Sequence, residues 1–259
     1  MKRAANQVKD QVTPPRYWVV IPAAGTGSRM LTDVPKQYLM LGDYPLIEHT
    51  LMRLAQHPDI SGIVVAIAAD DRRWNEAYRS ALAARLGVGI ATVIGGEQRH
   101  ISVLNVLNAL LFEQLSGLAD RAAAQDWVLV HDAARPCVTL ADLKLLLATI
   151  ANDPVGGLLG IPVADTMKRV DDQGLVEQTV CRDGLWRALT PQMFRLGPLQ
   201  QALRDAAARG QHVTDDASAM ELAGYRPRMV AGNEQNIKVT RPEDLELARL
   251  YLRQQEAQQ

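Results

Sequence analysis

Tyr17-Trp18-Val19-Val20-Ile21 runs directly into Pro22-Ala23-Ala24-Gly25-Thr26-Gly27-Ser28-Arg29-Met30, with Pro35-Lys36-Gln37 close behind. An apolar, β-branched run opening into a glycine-bearing loop describes a buried strand whose carboxyl end exposes backbone N–H groups. Glycine and alanine leave no bulk to keep a phosphate oxygen away from those groups. Arg29 and Lys36 add positive charge beside the cradle, the sign needed to hold a polyphosphate and stabilise a leaving group. Two common alternatives fail on spacing. A dinucleotide fingerprint needs Gly or Ala where Met30 stands. The P-loop ends on Gly-Lys-Ser/Thr, whereas Gly27 is followed by Ser28-Arg29. A plain tight turn would explain the glycines but neither Ala23-Ala24 nor Pro35-Lys36-Gln37, so the stretch reads as a nucleotide-phosphate loop.

Working outward, the pattern predicts helix over 45–56, strand over 63–67, helix over 72–85 and strand over 90–94, ending at Gly95-Gly96. Helix over 102–115, strand over 127–131, helix over 140–150 and strand over 156–161 follow. Such alternation predicts an α/β fold: a mainly parallel sheet covered by helices on both faces. Ligands of such sheets sit outside the carboxyl ends of the strands, where the loops 22–36, 95–102 and 132–136 converge.

Residues 162–189 break the rhythm. Short strands over 166–170 and 175–180 flank Asp171-Asp172-Gln173-Gly174, a turn-forming quartet. An isolated hairpin is marginal in water. The expectation is a protruding arm packed on a second subunit, hence a homodimer; a hairpin folded back on its own domain is the alternative. Helices over 199–208 and 214–223 come next, with Thr214, Asp215 or Asp216 as candidate caps. A strand over 236–239 then leads to a capping box at Thr240-Arg241-Pro242-Glu243 and a final helix.

The bulk numbers exclude several classes. The 28 basic and 29 acidic residues nearly cancel, which gives no ground for nucleic-acid or anionic-membrane binding. Cys137 and Cys181 make no disulfide framework or metal spacing, and the five histidines are scattered. No apolar run reaches the length of a membrane span, and residues 1–16 are polar with no signal-peptide core. The expectation is a soluble cytoplasmic protein with a flexible tail over 1–16 and one domain over 17–259.

Asp132, directly after a strand in His131-Asp132-Ala133-Ala134-Arg135-Pro136, could hold Mg²⁺ against nucleotide phosphates or simply cap a turn. Arg135 could hold a phosphate or pair with a carboxylate, and His131 reads as a satisfied strand-end histidine. Gly95-Gly96 and Ser102 repeat the theme of a glycine loop entering a helix and could recognise a base or ribose; Arg99 between them suits an internal brace. Lys238 and Arg182 either face an anion or lie at a solvent edge.

Taken together, the motifs resemble the 2-C-methyl-D-erythritol 4-phosphate cytidylyltransferase family. They are Pro-Ala-Ala-Gly-x-Gly-x-Arg-Met at Pro22, Pro-Lys-Gln-Tyr at Pro35, Gly-Gly-x-x-Arg-x-x-Ser at Gly95, His-Asp-Ala-Ala-Arg-Pro at His131, Asp-Thr-Met-Lys at Asp165, Leu-Thr-Pro-Gln at Leu189 and Asn-Ile-Lys-Val-Thr-Arg-Pro-Glu-Asp at Asn236. The resemblance spans about 19–251, in the family's order. It implies a Rossmann-like nucleotidyltransferase sheet with the arm used for dimerisation. The implied reaction transfers CMP from CTP to methylerythritol phosphate, releasing pyrophosphate, in non-mevalonate isoprenoid synthesis.

By motif position, Arg29 and Lys36 would stabilise the transition state, and Ala23, Ala24, Gly25, Gly27, Gly96, Ser102 and Ala133 would line the CTP site. Asp132 would lie near Mg²⁺ and the acceptor. Arg135, Thr166, Arg182, Thr190 and Lys238 would hold the acceptor, with Arg182 and Lys238 orienting its phosphate and the arm possessing Thr166 and Arg182. Two departures stand out: Thr214-Asp215-Asp216 has Asp where many relatives have Glu, and Ser28 stands where a basic residue is frequent. Neither touches a role assigned by the resemblance. The rival readings are a pentitol-phosphate cytidylyltransferase and a catalytically silent nucleotide sensor.

Overall fold

The computed structural model describes residues 14–25 and 34–257. Strand β1 (Tyr17–Pro22) is followed by a 3-10 turn at Lys36–Tyr38, a small ribbon of β2 (Met40–Leu41) and β3 (Tyr44–Pro45), and helix α1 (Leu46–Ala55). Alternation then sets in with β4 (Ile60–Ile67), α2 (Glu76–Leu86), β5 (Ile90–Ile94), α3 (Arg99–Phe112), β6 (Trp127–Val130), α4 (Leu140–Ile150) and β7 (Gly156–Pro162). A hairpin of β8 (Met167–Val170) and β9 (Val176–Val180) precedes β10 (Trp186–Arg195) and α5 (Leu196–Ala208). The chain continues with α6 (Asp216–Leu222), β11 (Arg228–Ala231) and α7 (Pro242–Glu256).

Seven strands form the main sheet in the order β5-β4-β1-β6-β10-β7-β11, with β10 antiparallel to both neighbours and every other pairing parallel. The order steps out from β1 through β4 to β5, then resumes on the other side of β1 with β6. Such a reversal parts the flanking loops and opens a crevice at the carboxyl ends of β1 and β6.

Burial on both faces explains why β1 is apolar at every central position. Val19 and Ile21 join Ile47 and Leu51 of α1 and Leu146 of α4 in one core. Trp18 and Val20 join Val103 and Val106 of α3 and Leu199 and Leu203 of α5 in another. Each fully buried side chain of this size contributes about 1.5–3 kcal/mol, so the crevice loops rest on a stiff base. A third, smaller cluster seats α7 through Ala248 and Leu252 against Leu41, Leu46 and Cys137.

The mixed, mostly parallel α/β sheet agrees with the sequence reading, but several elements differ. Helix α2 begins at Glu76, not 72, because the Asn75 side chain accepts the Tyr78 N–H as its cap. Helix α3 begins at Arg99, not 102, which shortens the second glycine loop. At α6 the cap is Asp215, accepting from the Ser218 N–H, which leaves Asp216 inside the helix. At α7 the carboxylate accepting from the Thr240 and Arg241 N–H groups is Asp244, not Glu243.

Two strands of the main sheet escaped the sequence reading, as did the short ribbon of β2 and β3. Strand β10 contains Pro191, which cannot donate to a ladder. Its register against β7 jumps between Ala188 and Gln192: Ala188 faces Gly160, yet Gln192 faces Leu158. The extra residues bulge out of the ladder, a device that re-aims side chains beside functional sites. Strand β11 is short and pairs only with β7. The expected strand over 236–239 does not form. That segment is tied instead by the Val239 N–H to the Ala134 carbonyl and by the Asn236 side-chain amide to the Thr190 carbonyl.

The hairpin forms as expected. The Asp171 carboxylate accepts the Gln173 and Leu175 N–H groups, and Gly174 adopts a positive φ of 81°. Its strands pair only with each other. Met167, Val170, Leu175 and Val176 stay exposed, so the hairpin projects and does not fold back on its own sheet.

Candidate active site

Three strand-end loops surround a cleft of about 210 Å³, lined among others by Ala23, Ala24, Gly25, Lys36, Gly96, Ser102, Asp132, Ala133 and Lys238. The loop after β1 is held open by Gln37, whose buried side-chain amide donates to the carbonyls of Ala23 (2.8 Å) and Gly25 (3.3 Å). Both carbonyls are thereby taken up on the Gln37 side. Gln37 had no role in the sequence reading, although it stands in the quoted Pro35-Lys36-Gln37. We expect Gln37→Ala to weaken CTP binding about tenfold, the worth of one to two lost hydrogen bonds. Titrating CTP by calorimetry checks this, and unchanged affinity would remove the brace from the site.

The second glycine loop presses on the first. A side chain at Gly95 would put its Cβ 2.5 Å from Ala24 Cβ, so only glycine permits this approach. Ser102 is nearly fully buried; its hydroxyl accepts the Gly96 N–H at 3.0 Å and lies 3.2 Å from the Gln98 carbonyl. The hydroxyl is thus engaged in shaping the loop that lines the cleft.

Asp132 is a hub of charge. Its Oδ1 pairs with Arg99 Nε at 3.0 Å, and its Oδ2 with Lys238 Nζ at 2.9 Å and Arg135 Nε at 3.4 Å. Burial alone would raise its pKa, but Arg99, then Lys238 and Arg135, hold the carboxyl well below the usual carboxylate range. These cations also wall off a second cavity of about 300 Å³, lined by Arg99, Asp132, Arg135, Thr190, Gln192, Asp215 and Lys238 among others. The β10 bulge delivers Thr190 to this wall. Thr190 Oγ accepts the Asp132 N–H (3.1 Å) and lies 3.0 Å from His131 Nδ1.

His131 Nε2 faces the Arg135 carbonyl at 3.0 Å. A carbonyl only accepts, so Nε2 carries the proton and Nδ1 takes the Thr190 hydroxyl proton. Burial pushes the His131 pKa down to about 4, which keeps the ring neutral. It is a satisfied strand-end histidine, and the Thr190 proton is spent on it.

Arg135 donates through Nη1 to the Asn236 carbonyl at 2.7 Å as well as facing Asp132, so its guanidinium is tied to protein groups on two sides. Arg99 is an internal brace, running from Asp132 to Asp216, whose Oδ2 lies 2.9 Å from Nη2. The departure within Thr214-Asp215-Asp216 thus reaches Arg99, a residue to which the resemblance gives no role.

Thr166 and Arg182 line neither cavity. Both are exposed on the arm, where Arg182 donates to the Ala164 carbonyl at the root of the hairpin. Gly27 and Arg29 lie outside the described residues, as does most of the tail over 1–16.

A resident divalent cation does not fit the described residues. Both oxygens of Asp132 are engaged by cations, and no group of three or more His, Cys, Asp or Glu side chains converges among the described residues. Asp132, expected beside Mg²⁺, is an ion-paired hub among the described residues, and a carboxylate compensated by three cations has little attraction left for a fourth. No described helix is long and apolar enough to cross a membrane.

A cleft of small residues at the switch point of a parallel sheet, walled by lysine and arginine, defines a nucleotide-binding α/β protein of the nucleotidyltransferase class. The family model described as 2-C-methyl-D-erythritol 4-phosphate cytidylyltransferase matches residues 17–254. The protein of that name from Pseudomonas fluorescens strain Pf0-1 is 52% identical over 235 residues, 91% of this chain and 95% of that one. Its counterpart from Hahella chejuensis is 47% identical over 244 residues, 94% and 96% of the two chains. The crystal structure of the Francisella tularensis protein of the same name superposes with a TM-score of 0.73 at 34% identity, covering 91% of this chain and 99% of that one. The chain belongs to the 2-C-methyl-D-erythritol 4-phosphate cytidylyltransferase family.

Proposed function

We propose that this chain transfers the cytidylyl group of CTP to 2-C-methyl-D-erythritol 4-phosphate, giving 4-diphosphocytidyl-2-C-methyl-D-erythritol and pyrophosphate in the non-mevalonate isoprenoid pathway. The observation that carries the reading is the pair of cavities meeting at the wall of Arg99, Asp132 and Lys238. The glycine-loop side suits the nucleotide, and the side lined by Arg135 and Thr190 suits the acceptor. An oxygen of the acceptor phosphate attacks the α-phosphorus from that side; the new P–O bond forms as the bond to the bridging oxygen breaks. Pyrophosphate departs with the electron pair.

The nucleophile is already an anion, so no general base is needed, and positioning and charge do the catalysis. On this reading Lys36 and Arg29 stabilise the departing pyrophosphate, and Lys238 and Arg135 offset repulsion between the two anions. Mg²⁺ belongs to the CTP substrate, bound by its phosphate oxygens and water.

The arm is the second part of the proposal. Exposed Met167, Val170, Leu175 and Val176 form an apolar surface on a hairpin too small to stand alone. A second copy of the chain covers it, and Thr166 and Arg182 act in the partner's acceptor cavity. We expect Arg182→Ala to raise the acceptor KM at least tenfold while leaving the CTP KM within twofold; unchanged acceptor kinetics would take the arm out of the site. The unit over 17–259 works in the cytoplasm, where the exposed thiol of Cys181 stays reduced.

Pyrophosphate release with CTP and either methylerythritol phosphate or ribitol 5-phosphate tests the substrate. Preference for the ribitol ester would make the chain a pentitol-phosphate enzyme. CTP binding with neither acceptor turned over would make it a sensor.

A further inference from the structure

Asp216 is completely buried in the first turn of α6, and among the described residues Arg99 is the side chain paired with its carboxylate. Its close cation is Arg99, with Nη2 2.9 Å from Oδ2. The turn that carries it is anchored from below. Gln192, on β10 just past the bulge, donates to Asp215 Oδ2 at 2.8 Å and accepts the Ala217 N–H at 2.8 Å. A rigid chain of contacts therefore runs from the sheet through Gln192 and α6 to Asp216, then through Arg99 to Asp132 Oδ1. Burying a charge with a single close partner is costly; Asp215 already supplies the cap, so a carboxylate at 216 adds to α6 only the favourable first-turn charge.

We propose that Asp216 is a positioning residue for the acceptor: by holding one edge of Arg99, it confines that guanidinium to Oδ1 of Asp132 and leaves Oδ2 to Lys238 and, at 3.4 Å, Arg135. A guanidinium prefers to engage a carboxylate with two parallel N–H groups. Released from Asp216, Arg99 turns both onto Asp132 and displaces Lys238 from Oδ2. The Lys238 ammonium then loses the anchor that keeps it at the boundary of the two cavities. The bonds by which Gln37 and Ser102 hold the nucleotide loops involve neither Asp216 nor Arg99. This inference rests on the cytidylyl-transfer reading for the identity of the acceptor.

The test uses the full chain, with steady-state kinetics for both substrates and direct calorimetric titration of methylerythritol phosphate. Asp216→Asn keeps shape and removes charge; the expected result is an acceptor KM raised about tenfold with the CTP KM within twofold. Arg99→Lys, which cannot bridge two carboxylates, is expected to raise the acceptor KM by a similar factor, and it serves alone should Asp216→Asn not fold. The double variant is expected to lose no more than the worse single one, because both remove one linkage. Asp216→Glu restores the charge and is expected to return the acceptor KM to within threefold of wild type.

An unchanged acceptor KM in Asp216→Asn, or losses that multiply in the double variant, would overturn the proposal. A merely structural Asp216 would lower the active fraction and the melting temperature without moving either KM. Wild-type protein that binds the acceptor without releasing pyrophosphate would defeat the cytidylyl-transfer reading alone, and the calorimetric shift would still decide the role of Asp216.

Discussion

Replacing Lys36 by alanine should lower kcat about 10²–10³-fold while the melting temperature moves by no more than a few degrees. Lys36 opens the 3-10 turn after the first phosphate loop and lines the nucleotide cleft opposite Gly96 and Ser102. In the proposed reaction an ammonium at that place would stabilise charge that accumulates on the leaving pyrophosphate as the bond to the α-phosphorus breaks. Removing one fixed donor to developing charge costs about 2.7–4 kcal/mol of barrier in comparable sites. The neighbouring residues carry the fold: Gln37 and Tyr38 are buried while Lys36 is not. Single-turnover measurement at saturating CTP isolates the chemical step. Near-normal turnover would mean that the pyrophosphate is stabilised elsewhere.

Asp132→Ala should be the most destabilising single change at the site. It leaves the guanidinium groups of Arg99 and Arg135 and the Lys238 ammonium facing one another without their shared anion. Breaking a buried ion pair by removing one partner costs about 3–5 kcal/mol, with the half-exposed Lys238 able to relax into water. Because the loss is one of uncompensated positive charge, millimolar inorganic phosphate should recover part of it in the variant and far less in wild type. Chemical denaturation with and without phosphate reads this directly; equal phosphate effects in the two proteins would contradict the electrostatic account.

The same carboxylate sets an acid limit. Its folded pKa lies below its unfolded value, so its contribution is fully present above about pH 4 and is lost as pH falls towards the folded value. The Asp132→Asn variant should therefore show a shallower loss of stability below pH 4.

The fold was legible where local pattern and tertiary role agree. Strands β1, β4, β6 and β7 are buried on both faces and read as unbroken apolar runs. Helices such as α1 and α4 show their inner stripe at helical spacing. Strand β10 was hidden because it runs antiparallel between parallel neighbours, holds Pro191 and breaks its own register, and each of these features erases a periodic signal. The segment 236–239 has the composition of a strand, but the far edge of the sheet is occupied by β11, and its backbone bonds to loops instead.

At the site, the glycine loops and Lys36 stood out by residue type and by position after β1, Asp132 was left between a metal ligand and a turn cap, and Lys238 gained a role only through the resemblance. The partners that hold them could not, because Gln37, Gln192 and Asp216 gain meaning only when segments far apart in the chain meet. Gln37 and Gln192 stood inside quoted motifs, yet a glutamine in a motif does not say what its amide will hold. Asp216 looked like one of three interchangeable caps until Asp215 proved to be the cap.

Strand β10 leaves one more consequence. Its first residues stand at the foot of the projecting hairpin, its middle carries Thr190 into the charged wall, and Gln192 beyond them grips α6. One length of backbone thus sets both Thr190 and Gln192, and a displacement at the foot of the hairpin would be taken up first at the bulge between Ala188 and Gln192.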